Sequence, residues 1–454
     1  MKVTRKGSLA DQHARDRIRN DLDTTFVVEA AAGTGKTTEL VGRIIAGITS
    51  GRVRLSKIVA VTFTDAAAGE LKLRIRDAIE QCRQDTECPP EANELLTESL
   101  RELEESRIGT IHSFCADLLR ERPVEAEIDP LFEVAAEDTV RPLFDLAFDR
   151  WFEQQLASPG EAVRRILRRR PRREYRRDLP GILAHRPHNS GPRRALRTAA
   201  RELIERRDFP ASWQRNPDFD RVTVIDELIA QMTSLAAWAD AGNPNDYFVK
   251  SLKEIRVFID DLKRIEDISG GEDKRDYEGL EAALIELKRG KHWTWSGYSS
   301  SKLSYPRAEL LARRNALKER LDTFVDEAGA DLAPRLRDEL SSVIVEYEHL
   351  KERAGCVDFL DLLLRARNLV REKPWVRADL QQRFTHIFVD EFQDTDPLQA
   401  ELLMLLAADD PNEKDWRRVR PIPGKLFIVG DPKQSIYRFR RADVALYERV
   451  KQQI

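Results

Sequence analysis

Apolar residues near the amino terminus change from the period of a strand to that of a helix and back. Residues 24–30 ("TTFVVEA") form a short apolar, β-branched run that predicts a strand. The apolar residues after the next loop share one helical face: Leu40, Val41, Ile44, Ile45 and Ile48. A second strand is predicted at 57–64 ("KIVAVTFT"), with a helix from about Asp65, and the same alternation follows at 107–121. Continuous apolar strands that alternate with helices predict an α/β fold, in which helices cover both faces of a parallel sheet.

The middle of the chain has a different pattern. Beyond Pro123 it reads as long, charged and mostly helical segments that are separated by prolines. We predict a mainly α-helical insertion over residues 126–354, which interrupts the sheet. The sheet pattern then resumes, because strands are predicted at 386–390 ("HIFVD") and 425–430 ("KLFIVG"). The helix before these strands is predicted to turn four apolar residues to the core: Phe359, Leu362, Leu363 and Leu369.

The overall charge does not by itself indicate a polyanionic partner. The 454 residues are enough for two or more domains, and their formal net charge is −3. Any nucleic acid must therefore be met by a local cluster of charge. The strongest candidate is the run at 163–177 ("VRRILRRRPRREYRR"), with nine arginines in fifteen positions. A solvated helix or a flexible arm is the alternative interpretation.

Targeting and membrane signals are weak. No apolar run approaches the length of about 18 residues that a membrane span needs, and the basic amino terminus is not followed by the apolar segment of a secretory signal. We expect a cytoplasmic protein without a membrane partner. The four cysteines have irregular spacing and no C-x-x-C pair, which argues against a zinc site or a disulfide framework.

The segment "AAAGTGKT" (30–37) fits the phosphate-loop pattern G-x-x-x-x-G-K-[ST], except that Ala30 stands at the usual first glycine. Gly33 and Gly35 allow the backbone to turn its N–H groups toward phosphate oxygens, and the following helix presents its positive end. We predict that Lys36 meets the β- and γ-phosphates and that the Thr37 hydroxyl binds Mg²⁺. The predicted nucleotide-binding residues are Ala30, Ala31, Ala32, Gly33, Thr34, Gly35, Lys36, Thr37 and Thr38. A turn of purely structural use is the alternative.

Two acidic residues end the predicted strand in "HIFVDEFQDT" (386–395). Open α/β sheets bind ligands at the carboxyl ends of their strands. Asp390 is expected to hold Mg²⁺ through its hydration shell, and Glu391 is expected to orient or deprotonate the attacking water. An acidic strand-to-turn junction without a ligand is the alternative.

The segment "IVGDPKQSIYRFRRAD" (428–443) places interleaved aromatic and arginine residues after a third strand. Such a mixture is typical of sites for single-stranded nucleic acid, because bases stack on aromatic faces for about 1–3 kcal/mol each while arginines meet phosphates. We therefore predict strand contacts from Tyr437, Phe439 and Arg440. Gln434 is expected to contact the γ-phosphate and to connect the nucleotide state to strand binding. Core packing of Tyr437 and Phe439 is the alternative.

Five segments, taken in order, resemble the UvrD/RecB class of superfamily 1 DNA helicases: "AAAGTGKT", "VAVTFTDAAAGELKLRI", "IGTIHSFC", "VDEFQDTDPLQ" and "GDPKQSIYRFRRAD". The stretches "TIHSFC" and "CVDFLDLLLRA" and the long insertion are more similar to the RecB/AddA helicase–nuclease subunits. The resemblance implies a P-loop, RecA-like ATP-binding core in two parts, 1–125 and 355–454. Between them, 126–354 would be a helical arm that contacts DNA.

The resemblance also implies an activity. It implies a motor that hydrolyses ATP with Mg²⁺ and moves 3′ to 5′ along single-stranded DNA. It would be the amino-terminal part of a helicase–nuclease subunit in double-strand-break repair and recombination, acting on single-stranded and forked DNA with a RecC/AddB-like second subunit. Gln12 is similar to the adenine-reading residue of the family, and Asp65 replaces an expected asparagine. The positions that match DNA-contacting segments are Thr62, Phe63, Thr64, His112 and Phe439.

Nothing after residue 443 resembles the second RecA-like core or the nuclease domain of this family. In relatives the second core supplies arginines that reach the γ-phosphate, and such arginines are worth about 10³–10⁵ in rate. We therefore expect residues 1–454 alone to hydrolyse ATP very poorly and not to unwind DNA. The alternative function is a module that binds nucleotide and single-stranded DNA without cycling. A P-loop kinase or signalling NTPase would explain neither "DEFQDT" nor the aromatic and arginine run.

Overall fold

The computed structural model describes residues 11–31, 33–86, 88–169, 191–209, 213–240, 245–269, 275–296, 306–434 and 444–454. The chain divides into two compact units, one formed by Met1–Glu137 with Ala354–Ile454 and the other by Asp138–Arg353. Both ends of the chain therefore belong to one unit. A short parallel strand pair joins Glu133 and Val134 to Cys356 and Val357 inside the first unit.

The helices and strands fall into three groups along the chain. The first part of the first unit contains α1 (Gln12–Asn20), β1 (Phe26–Glu29), α2 (Lys36–Thr49), β2 (Ile58–Thr62), α3 (Asp65–Gln84), α4 (Pro90–Glu102), β3 (Arg107–Thr110), α5 (Ile111–Glu121) and β4 (Glu133–Val134). Then come α6 (Glu137–Ala157), α7 (Glu161–Leu167), α8 (Pro192–Glu205), α9 (Arg221–Ala236), α10 (Tyr247–Ser269), α11 (Tyr277–Lys288) and α12 (Arg307–Arg353). The first unit is completed by β5 (Cys356–Val357), α13 (Phe359–Glu372), α14 (Pro374–Arg383), β6 (His386–Val389), α15 (Pro397–Ala407), β7 (Leu426–Gly430) and α16 (Val444–Gln453).

The first unit is built on a five-stranded sheet with the order β1-β7-β6-β2-β3, and all of its strand pairs are parallel. Alternate residues of β2 enter two different hydrophobic clusters. Val59 and Val61 pack with α5, α13 and α15, whereas Ile58 and Ala60 pack with α2, α3 and α4. Helices therefore cover both faces, as a parallel sheet requires. The predicted α/β fold with a helical insertion is confirmed.

The carboxyl ends of the strands meet at one edge of the sheet, and capped helices begin there. Thr64 caps α3, since its hydroxyl oxygen accepts from the Ala67 N–H at 3.1 Å. Asp396 caps α15 in a reciprocal pair with Gln399. Side chains of this kind satisfy the free N–H groups of a first helical turn. Helix α3 starts at Asp65, directly after the end of β2 at Thr62, whereas the acidic turn separates the end of β6 at Val389 from the start of α15 at Pro397.

The prediction that Phe359 belongs to the core face of α13 is wrong. Leu362, Leu363 and Leu369 are buried as predicted, but Phe359 is 52% exposed. It is the first residue of the helix, directly after the Asp358 cap. Its ring contacts His112, in the first turn of α5, at a centroid distance of 5.4 Å and does not enter the core.

The second unit is entirely helical in the part that the structure describes, and its core joins residues of α9, α10, α11 and α12. It also shows what one member of the arginine run does. Arg165 is 1% exposed and donates to Glu281 and Asp331 at 2.7 Å each. Arg165 is therefore a buried structural residue, while the run from residue 170 onward lies outside the described residues.

None of the described helices is long and apolar enough to cross a membrane.

Candidate nucleotide-binding site

The loop between β1 and α2 has the backbone conformation of an anion-binding turn. Gly33 and Gly35 have φ values of +76° and +91°, in the left-handed region that glycine adopts without a steric cost. Gly35 is the N-cap of α2, so Lys36 is the first helical residue. The Thr34 hydroxyl donates to the Ala31 carbonyl at 2.7 Å, which closes the loop on itself. The free N–H groups of a helix start attract phosphate oxygens.

The loop meets the acidic turn after β6 through two side-chain contacts. Lys36 Nζ lies 3.2 Å from Oε2 of Glu391. The Thr37 hydroxyl donates to Oδ2 of Asp390 at the same distance. Lys36 is 8% exposed, so its ammonium is largely withdrawn from water. The structure thus brings together the four residues that the sequence predicts for phosphate binding, metal binding and water activation.

Glu391 is held in an unusual backbone conformation. Its φ is +55°, and among the described residues only Glu127 shares this feature outside glycine. Such a conformation costs on the order of 1–3 kcal/mol, and it persists where the surroundings enforce it. Here Gln393 Nε2 donates to the Glu391 carboxylate at 2.6 Å. The strained turn directs the carboxylate toward Lys36.

Negative charge is concentrated at this turn. Burial, and then the charge of Glu391, raise the pKa of Asp390, although the Thr37 hydrogen bond and Lys36 oppose this. Burial and Glu391 also raise the pKa of Asp394 to about 6. One oxygen of Asp394 is buried and accepts no hydrogen bond in the described part of the chain. A bound cation would stabilise the ionised forms of both aspartates.

The oxygen ligands at this turn fit Mg²⁺. Within the described residues no cluster of three or more His, Cys, Asp or Glu side chains is arranged to hold a metal ion. Mg²⁺ rarely needs such a cluster, because it usually binds one or two carboxylates together with substrate phosphates and water. The Thr37 hydroxyl and the Asp390 carboxylate, 3.2 Å apart, are a donor set of that kind.

Gln434 lies in the turn that follows β7. Its Nε2 donates to Oδ2 of Asp431 at 2.7 Å, within a short 3-10 turn at Pro432–Gln434. The β7 strand runs between β1 and β6, so this turn leaves the sheet between the phosphate loop and the acidic turn. The predicted γ-phosphate contact remains a prediction.

The other predicted nucleotide contacts are Gln12, Thr38 and the alanines of the loop. Gln12 is in the first turn of α1, where its side chain donates to Asp16 at 2.8 Å. Thr38 is exposed in the first turn of α2. Ala30 donates its N–H to the Gly430 carbonyl at 3.3 Å, and Ala31 is exposed. Ala32 lies outside the described residues.

Arg15 is a residue of this site that the sequence does not predict. Its guanidinium donates at 2.8 Å to the Thr34 carbonyl and to the Glu39 carboxylate. Arg19, one turn later on α1, also donates to Glu39. These contacts join α1 to the phosphate loop and to the first turn of α2. No local pattern predicts them, because the paired charges are 24 and 20 residues apart.

The predicted DNA contacts of the first unit lie at the same edge of the sheet. Thr62 is 5% exposed and its hydroxyl donates to the Thr64 carbonyl at 3.0 Å, while Thr64 caps α3. Thr62 and Phe63 line a small pocket together with Asp390 and Glu391. His112 lies at the start of α5, against the exposed ring of Phe359 described above.

Three further predicted contacts, Tyr437, Phe439 and Arg440, fall within 435–443 and lie outside the described residues. They remain predictions.

The fold and the site define the class of protein. A glycine loop after β1, facing a carboxylate pair after β6 of a parallel sheet, is the arrangement of a P-loop nucleoside-triphosphate-binding core. More particularly, the chain belongs to the UvrD/REP helicase N-terminal domain family, whose model matches residues 10–454. The resemblance to this helicase class is confirmed.

Similar proteins are named as subunits of an ATP-dependent helicase/nuclease. The protein of Clostridioides difficile is 29% identical over 94% of this chain and 34% of its own length. That of Exiguobacterium sibiricum is 28% identical over 93% of this chain and 35% of its own length. The Geobacillus kaustophilus protein matches to the same extent, with 28% identity over 93% and 35%. The chain therefore spans about a third of the length of these relatives.

Proposed function

We propose that this chain is the ATP-dependent motor core of a DNA helicase that moves 3′ to 5′ along single-stranded DNA. The observation that carries the proposal is the pairing of Lys36 with Glu391 and of Thr37 with Asp390 across the sheet edge. Each of the two contacts joins a phosphate-loop residue to a carboxylate. Family membership supports a superfamily 1 helicase role for this core.

The Lys36–Glu391 ion pair suggests how nucleotide binding prepares the site. An incoming γ-phosphate competes for Lys36, because it carries more charge than the Glu391 carboxylate. Glu391 is then released to accept a proton from the attacking water. Thr37 and Asp390 would hold Mg²⁺, which would neutralise charge on the β- and γ-phosphates. The loop N–H groups at the start of α2 bind the phosphate oxygens.

DNA contacts at the same sheet edge would place the strand close to the acidic turn. Thr62 and Phe63 share a pocket with Asp390 and Glu391. The exposed Phe359 ring, supported by His112, offers a face on which a base can stack. Such stacking contributes about 1–3 kcal/mol for each base and needs no particular sequence. Strand binding at this edge would therefore reach the carboxylates directly.

The wider role that we propose follows the names of the relatives. It is action in double-strand-break repair and recombination, on forked as well as single-stranded DNA, with a RecC/AddB-like second subunit. The relatives are named helicase/nuclease subunits, which supports work within a larger assembly. The helical insertion would contribute a DNA-contacting arm.

Steady-state ATP hydrolysis, measured with and without oligodeoxythymidine, tests this function. We expect a slow rate that rises when the oligonucleotide is added, and loss of that rate in Glu391→Gln with nucleotide affinity retained. The retained affinity would distinguish loss of the base from loss of binding. A rate that does not respond to DNA would favour the alternative, a module that binds nucleotide and strand without cycling.

A further inference from the structure

A continuous set of hydrogen bonds leads from the phosphate loop to the turn after β7, and Gln393 stands at its centre. Lys36 Nζ and Gln393 Nε2 both donate to Oε2 of Glu391, at 3.2 and 2.6 Å. The side-chain oxygen of Gln393 accepts from the backbone N–H of Asp431 at 2.8 Å. Asp431 in turn accepts from Gln434 Nε2 at 2.7 Å. A single amide therefore contacts both the acidic turn and the β7 turn.

Packing fixes this amide in place. Gln393 is 5% exposed and lies in the 3-10 turn Phe392–Asp394. A Cβ atom at Gly430 would lie only 2.8 Å from Oε1 of Gln393 and 3.1 Å from the Tyr447 ring, so the close approach requires glycine. Rotation of the amide would leave the buried N–H of Asp431 without its acceptor, which is costly. Gln393 therefore moves together with the groups that it contacts.

We propose that Gln393 is a positioning residue that couples the phosphate pocket to the β7 turn. The inference rests on the proposed function, because it requires a nucleotide in the pocket. When a γ-phosphate binds Lys36, Glu391 loses one of the two donors to its Oε2 atom. The donor that remains is the Gln393 amide. A shift of Glu391 toward the attacking water then displaces the Gln393 amide.

The displacement is passed to the β7 turn through the backbone. The Gln393 oxygen bonds to the main-chain N–H of Asp431, so the backbone responds and not a side chain alone. Gly430, the residue before it, is paired with Glu29 at the end of β1. Gln434 is bonded to Asp431, and the predicted strand contact Tyr437 follows three positions later. Occupancy of the phosphate pocket thereby alters strand affinity, and the reverse holds by linkage.

Two substitutions of Gln393 test the two hydrogen bonds of its side-chain amide. Gln393→Met removes both hydrogen bonds at nearly constant volume. Gln393→Glu keeps an acceptor for Asp431 but replaces the donor to Glu391 by a second carboxylate. Gln381→Met is the matched control, because the Gln381 side chain also donates one hydrogen bond, to the Leu405 carbonyl at 2.9 Å, but lies in α14, at the end of β6 opposite to the acidic turn. Thermal unfolding of each variant reports whether it is folded.

The readout is the change in oligodeoxythymidine affinity on saturation with a non-hydrolysable Mg·ATP analogue. We expect the wild type and Gln381→Met to show a coupling factor within the range of about 5–150-fold that is typical of linked sites. In Gln393→Met and Gln393→Glu we expect that factor to fall to about one, while the strand affinity without nucleotide stays close to that of the wild type. A purely structural defect would instead weaken strand binding with and without nucleotide alike.

Retention of the wild-type coupling factor by either folded Gln393 variant would overturn the inference. Wild-type protein that binds both ligands without coupling would also overturn it, while leaving the nucleotide site intact. Failure of the wild type to bind either ligand would instead defeat the proposed function, and the inference with it.

Discussion

Replacement of Lys36 by alanine tests the phosphate loop most sharply. Lys36 is buried at the start of α2, and its ammonium lies 3.2 Å from the Glu391 carboxylate. A hydrogen bond to a charged group contributes about 1.5–3 kcal/mol, which corresponds to a loss of roughly 10-fold to 150-fold in nucleotide affinity. Burial of Lys36 places the expected effect toward the upper part of that range.

The substitution also changes the protein without nucleotide. Lys36 lowers the pKa of both Asp390 and Asp394, so its removal should raise both pKa values further. Glu391 keeps Gln393 as a donor, and for that reason we expect the variant to fold. Thermal unfolding checks this expectation before binding is measured.

The assay is a calorimetric titration with a non-hydrolysable Mg·ATP analogue. Lys57→Ala is the control, because Lys57 is exposed before β2 and its loss changes the net charge equally. We expect the control to bind like the wild type. Wild-type affinity in a folded Lys36→Ala protein would refute the assignment of this loop to phosphate binding.

Three further substitutions probe the phosphate loop, the acidic turn and the proposed stacking face of Phe359. Arg15→Met should weaken the binding of the Mg·ATP analogue in the same titration, since Arg15 holds the Thr34 carbonyl, whereas Arg52→Met at an exposed ion pair should not. Asp394→Asn should raise the thermal unfolding temperature above pH 6 and have little effect near pH 3.8. The reason is that the raised pKa of about 6 makes the folded protein bind the proton more tightly, so wild-type stability falls as the pH rises from 3.8 to 6; an equal effect at all pH values would contradict this. Phe359→Ala should lower oligodeoxythymidine affinity by about 1–3 kcal/mol in fluorescence anisotropy, and Trp375→Ala, another exposed aromatic residue of the first unit, should not. Equal losses in the two aromatic variants would argue against stacking on Phe359.

Much of the sheet could be predicted from the sequence because the signal is local. Strands such as β2 and β7 are buried at every residue, and a continuous apolar run is the direct mark of that burial. The contact between Lys36 and Glu391 spans 355 residues, yet it could be anticipated. Both residues follow strands of one parallel sheet, and the carboxyl ends of such strands share an edge.

Other features depend on contacts that no local pattern records. Phe359 fits the apolar stripe of α13, but a stripe does not show which of its residues the neighbouring elements bury, and Phe359 is 52% exposed. Arg165 belongs to a charged run, and its burial requires carboxylates that lie 116 and 166 residues further along. Glu391 has a left-handed backbone conformation and accepts a hydrogen bond from Gln393, and neither feature has a sequence signature. Each of these features is set by tertiary structure.

The most direct test of a nucleotide pocket and a DNA site within the first unit is a paired calorimetric titration of the purified protein. One arm uses the non-hydrolysable Mg·ATP analogue and the other uses oligodeoxythymidine. We predict saturable binding of one nucleotide per chain and saturable binding of the oligonucleotide, with an oligonucleotide affinity that changes when the nucleotide is present. Folded protein that takes up neither ligand would contradict the assignment of Lys36, Thr37, Asp390 and Glu391 to a nucleotide site.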